Sequence, residues 1–165
     1  LRGNRLMLRA VGLTEKELSR MRLHPLKTGD RVKLGKVTMQ ALGANHEVSR
    51  TRETALHYLF ACEGKKFFYG CDGAWFLAQT WSVLRKHELD LAIMEATVGS
   101  MRANYRIASH NTLAMVDMLV EAMEECGILR KDSLVVLSHL SRELHRPDED
   151  YGSKIVAYDG MRLEI

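Results

Sequence analysis

Val32 and Leu34 alternate with polar neighbours, and Val37 and Met39 do so again beyond Gly35. A period of two belongs to half-buried strands, so this segment predicts a hairpin, with Gly29-Asp30 and Gly35 as its turn punctuation. Two aromatic and apolar runs, "TALHYLFAC" and "KKFFYGC", flank "EGK" and predict a second hairpin. From Ala74 the period lengthens, and Leu77, Ala78, Trp81 and Leu84 fall on one face of a helix. "LDLAIMEA" reads as a buried strand. Residues 111 to 126 form the strongest helical pattern, with Leu113, Val116, Val120 and Met123 in register and Gly127 as its stop. "SLVVLS" and "KIVAY" predict two more strands before a final "MRLEI". Near the start, Thr14 with Glu17 three residues on is a capping-box pattern for a short helix. Hairpins first, then strand and helix in alternation, imply an α/β (α+β) fold: one domain over residues 1–165, built as a mixed sheet with helices packed on it.

Composition narrows the class without naming a function. At 165 residues, 46% apolar and 27% charged, the chain has the make-up of an ordinary globular domain. It holds no apolar run of the length a membrane-spanning helix needs. Cys62, Cys71 and Cys126 are odd in number and form no Cys-x-x-Cys pair, which predicts a reducing, cytoplasmic setting. Residues 1–36 carry ten Lys/Arg against three Asp/Glu, net +7, and the remainder is net −4. Such a segment could meet phosphates, although a charge run is more often solvated surface. The chain begins at Leu1 without a signal-like stretch, which predicts a piece of a longer protein.

Candidate chemistry sits just beyond the apolar runs. "VTMQALGAN" leads to His46, "KFFYGC" to Asp72, "LAIM" to Glu95, "LVVLS" to His139 and "IVAY" to Asp159. If those strands end on one edge of the sheet, their terminal side chains meet in one cleft. Imidazole and carboxylate are donors that zinc or manganese accepts, and one carboxylate can bridge two ions. A turn former after a strand is the plain alternative at each position.

In order and wording these segments resemble the metallo-β-lactamase superfamily of metal-dependent hydrolases, in its phosphodiesterase and ribonuclease Z-like branch. "LGANHEV" resembles the strand and loop carrying the third-motif histidine, "YGCDGAW" the segment of the bridging aspartate, and "VVLSHLSREL" the late segment whose histidine closes the second metal site. "AYDGMRLEI" is similar to the closing hairpin of the cyclic-phosphate phosphodiesterases. The resemblance runs from about residue 28 to the end. The superfamily's His-x-His-x-Asp-His motif is absent from these 165 residues, so the likeness is to the C-terminal portion of its four-layer αββα sandwich. It implies two divalent ions, zinc or manganese, with His46 on the first, His139 on the second and Asp72 on both. Glu95 would support them from outside, or else face solvent as a strand terminus. His110, in "ASHNTLAM", would contact phosphate or protonate the leaving oxygen at the mouth of the long helix, where Asn111 can cap.

Other candidates have plainer readings. His57 is expected as a strand residue facing the other layer, His87 and His145 as solvated, Cys71 as a small buried residue, and Met115, Met118 and Met123 as core. No Gly-rich phosphate loop or Gly-x-Ser-x-Gly elbow is present, so nucleotide binding and serine hydrolysis have no support. The resemblance implies a hydrolase of a small cyclic or nucleotide-like phosphodiester. A ribonuclease Z-like nuclease is less favoured, because no basic arm is inserted between the strands. The competing expectation is a catalytically silent fragment or degenerate homologue, poor in metal, that pairs as a homodimer.

Overall fold

The computed structural model of the chain describes residues 2–48, 53–101 and 104–165. Its centre is a seven-stranded sheet whose strands lie side by side in chain order: β1 (Arg31–Leu34), β2 (Val37–Gly43), β3 (Leu56–Cys62), β4 (Lys65–Gly70), β5 (Leu89–Glu95), β6 (Leu129–Ser138) and β7 (Ile155–Val156). The first three pairings are antiparallel and the last three parallel. Both expected hairpins form. The second turns on Glu63 and Gly64, whose φ angles of 49° and 86° give the left-handed geometry of a two-residue hairpin loop.

Among the described residues four α-helices and a short 3-10 helix (Tyr105–Ala108) accompany the sheet: α1 (Arg2–Ala10), α2 (Glu15–Arg20), α3 (Ala78–Leu84) and α4 (Leu113–Glu125). The capping box of α2 is present in full. α3 packs on β2 and α4 on β6, and the core joins Leu42, Phe68, Met94 and Leu137 of the sheet to Leu84, Val116, Leu119 and Met123 of the helices. Alternation sends the neighbouring row, Met39, Phe60, Phe67, Leu91 and Leu134, to the opposite face. None of these five belongs to the helix-side core.

Several expectations are corrected. α3 begins at Ala78, not Ala74, because Ala74 N–H is bonded to the Asn45 carbonyl at 2.9 Å and the chain is still turning. α4 is capped by Thr112, whose hydroxyl accepts from Met115 N–H, and Asn111 is instead buried. The closing hairpin does not form, since after β7 the chain makes a turn at Tyr158–Met161 and residues 161–165 enter no ladder. Met123 is core, whereas Met118 is 50% exposed because it lies on the outer face of α4. α1 was not foreseen as a helix.

Candidate metal centre

Strand direction places the site. β2 and β4 run alike because each is antiparallel to β3, and β5, β6 and β7 are parallel to β4. The C-terminal ends of β2, β4, β5 and β6 therefore share one sheet edge, and there His46, Asp72, Glu95 and His139 meet. Asp159 does not join them. It is exposed in the turn after the two-residue β7 and belongs to neither donor group described below.

Asp72 Oδ1 is 3.7 Å from His46 Nε2, 3.7 Å from His139 Nε2 and 3.8 Å from His110 Nδ1. These separations are too long for hydrogen bonds. The two to Nε2 atoms suit donors of a shared ion, because two atoms each about 2.1 Å from one metal lie roughly 3 to 4 Å apart. Two sets of three have donor atoms within 4.8 Å of one another: His46, Asp72 and His110, and Glu95, His110 and His139. Three imidazoles and two carboxylates are a donor set that zinc or manganese accepts, so the residues fit the ions that the sequence implies.

The supporting hydrogen bonds leave ring nitrogens free for such ions. His46 Nδ1–H donates to the Ser109 carbonyl at 3.1 Å, which leaves Nε2 unprotonated toward Asp72. The Thr97 hydroxyl donates to Glu95 Oε2 at 2.5 Å, a stronger acceptor than the His139 carbonyl it also touches. Having spent its proton there, the hydroxyl accepts from His139 Nδ1–H at 2.8 Å, and His139 Nε2 is likewise left bare. Glu95 is fully buried, which excludes its reading as a solvent-facing terminus. It also accepts from Thr97 N–H at 2.7 Å, Asn111 N–H at 2.9 Å and His110 Nδ1–H at 3.2 Å. Four donors justify a buried carboxylate.

Backbone geometry singles out the same residues. Asp72 and His139 have φ of 61° and 54°, and with the hairpin-turn Glu63 they are the non-glycine residues of positive φ among those described. Such strain persists only where the surroundings impose it, and it concentrates at functional sites. Behind Asp72 lies Gly73, where a Cβ would come within 2.6 Å of His57 Nε2. His57 is a fully buried strand residue in edge contact with Phe68 and Phe76, and it is not a ligand. Burial pushes its imidazole down to about 4, against an opposing pull from the charge of Asp72. Burial likewise pushes the Cys71 thiol up, so it stays protonated as a small buried side chain.

Thr97 has no role in the sequence reading, and Asn111, expected as a cap, instead donates its backbone N–H to Glu95 and its side chain to the Gly73 carbonyl. The signal for Thr97 was a hydroxyl two residues beyond Glu95, which is weak without coordinates. His145 is a correction: its side chain is 8% exposed, with Nε2 2.6 Å from the Ala96 carbonyl and Nδ1 3.2 Å from Tyr151 Oη. It ties the loop after β6 to the loop that carries Thr97. His87 is half-buried beside a cavity rather than solvated.

Fold and site together define a metal-centre domain, and the comparisons with known proteins agree. The family model described as beta-lactamase superfamily domain matches residues 6–140, so the chain belongs to that family. A metallo-beta-lactamase fold protein, YhfI from Bacillus subtilis, is similar over 82% of this chain and 53% of its own, at 15% identity and TM-score 0.58. Human tRNase Z, short form, aligns over 79% and 44%, at 18% and 0.53. A diphosphatase from the PhnP family aligns over 97% and 54%, at 15% and 0.65. The chain thus spans about half the length of these structures. No curated protein matches it.

Proposed function

We propose that this chain carries part of the dinuclear centre of a metal-dependent hydrolase, and that its substrate is a small cyclic or nucleotide-like phosphodiester. The observation that carries the reading is Asp72 Oδ1 standing 3.7 Å from both His46 Nε2 and His139 Nε2. Similarity to structures described as a diphosphatase and a tRNase Z supports phosphoester chemistry over other reactions of the fold. When bound, two divalent ions supply Lewis acidity, lowering the pKa of water at the site and polarising the ester under attack. His46 would hold the first, His139 the second and Asp72 both, while Glu95 and Thr97 keep the rings in place. Glu95 accepts the Nδ1 proton of His110 and so leaves its Nε2 to contact the phosphate and pass a proton to the leaving oxygen.

Zinc or manganese titration, with hydrolysis of bis(p-nitrophenyl) phosphate as the activity readout, tests this. Asp72→Ala should abolish metal binding. His110→Ala should keep the metal and lose about 100-fold or more in turnover. Metal uptake unchanged in Asp72→Ala would overturn the reading, and loss of metal in His110→Ala would make that residue a ligand instead of a proton donor.

A second reading starts from the half-buried Phe60, Phe67 and Leu134, which stand with the buried Met39 and Leu91 on the sheet face away from the helix-side core. Each ion finds two of the three motif donors here, fewer than the three or four of a tight site. On this reading the chain by itself is poor in metal, catalytically silent, and paired as a homodimer across that face.

A further inference from the structure

β2 runs from Val37 toward the metal-centre edge, so Thr38 at its start lies at the far end of the sheet. A cavity of about 320 Å³ opens there, within the size range of small-molecule pockets. Its floor is apolar, formed by the buried Leu59 and the half-buried Ala61 on the same face, and its wall carries Arg31, Lys33, Gln40 and His87. Lys66 and Lys86 add their charge nearby: with burial as the leading cause, they and Arg31 hold the His87 imidazole below its ordinary value.

The acids around this end are already engaged. Glu63 pairs with Lys36, Asp90 with Lys65 and Arg130, and Glu88 with Arg130. Asp30 accepts from Lys27 N–H at 2.8 Å. No ion pair joins Arg31, Lys33, Lys66 or Lys86 to a carboxylate among the described residues. Gathering like charges around a concave apolar floor raises the local potential and favours an anion that also brings apolar surface. A guanidinium with ammonium neighbours suits a phosphate, which the guanidinium engages through two parallel hydrogen bonds and the ammonium as a point charge.

We propose that this cavity binds a small phosphate ester with an apolar or aromatic body, of the nucleoside monophosphate class, at a site separate from the metal centre. The phosphate lies against Arg31 and Lys33, and the body covers Leu59 and Ala61. This assignment does not depend on the hydrolase reading.

The test is amide chemical-shift mapping on the full chain in chelator, with AMP and, in parallel, inorganic phosphate as probes. AMP should move the amides of Gln40, Ala61 and His87 with a Kd of about 1 mM or tighter, and inorganic phosphate should bind about tenfold more weakly. Arg31→Glu with Lys33→Glu, both on an exposed edge strand, should weaken AMP about tenfold or more while the remaining spectrum is preserved. Should that double variant fail to fold, Lys33→Met with Arg31→Met removes the charge and keeps the stems. The proposal is overturned if AMP moves no amide of this group, if the charge variants bind it as well as the parent, or if phosphate alone binds as tightly.

Discussion

Thr97 does two jobs with one hydroxyl: it donates to Glu95 and accepts from His139 Nδ1–H. Replacing it with valine keeps the shape and removes both bonds, so the His139 ring is no longer held with Nε2 toward Asp72. Thr97→Val should weaken zinc binding about 10- to 100-fold, read by competition with a chromophoric chelator, while leaving the far-UV spectrum intact. His57 makes a different point at this scale. Its native pKa of about 4 lies below the value of 6.5 for an exposed imidazole. The unfolded chain therefore binds a proton between those limits that the native state refuses. Its contribution is complete above pH 6.5 or so, and it is lost as the pH falls toward 4, amounting to about 3 kcal/mol. Urea unfolding across that window should show the slope in the parent and a clearly shallower one in His57→Met. Neither ring nitrogen has a hydrogen-bond partner, so at neutral pH that variant should cost little.

Between elements, the site depends on turns that cannot relax. The turn after β4 passes under His57 at Gly73, whose carbonyl accepts from the Asn111 side chain at 3.1 Å. Gly73→Ala would place a methyl 2.6 Å from His57 Nε2 and 3.3 Å from Ala44 Cβ, both held within the fold. Destabilisation of about 1 to 3 kcal/mol by urea unfolding, with weaker metal binding, is the expected outcome. At the other end of β5, Asp90 accepts from Lys66 N–H, Arg130 and Lys65, which together hold its carboxyl down to about 2 and tie β4, β5 and β6 together. Hairpins, α2 with its capping box and the stop of α4 at Gly127 were legible because period and turn chemistry are local properties. The closing hairpin was not, since a ladder needs a partner strand, and β7 is two residues long.

For the molecule as a whole, the sheet is two-faced: helices cover one side, and the Met39 to Leu134 row lines the other. If that face pairs with a second copy, Phe60→Glu with Phe67→Glu should convert a dimer to a monomer in sedimentation without changing the helical signal. A parent that is already monomeric would remove the homodimer from consideration. The sequence alone determined the order of elements and the mixed sheet and made His46, Asp72 and His139 candidates, because side-chain period and residue type are written along one dimension. Tertiary structure decided that β2, β4, β5 and β6 end on one edge, that Asp159 stays outside, and that Glu95 is buried under four donors. It also decided that Thr97, 42 positions from His139, orients that ring, and that His57 remains neutral. Those outcomes depend on strand direction, register and burial, which arise only when distant segments pack against one another.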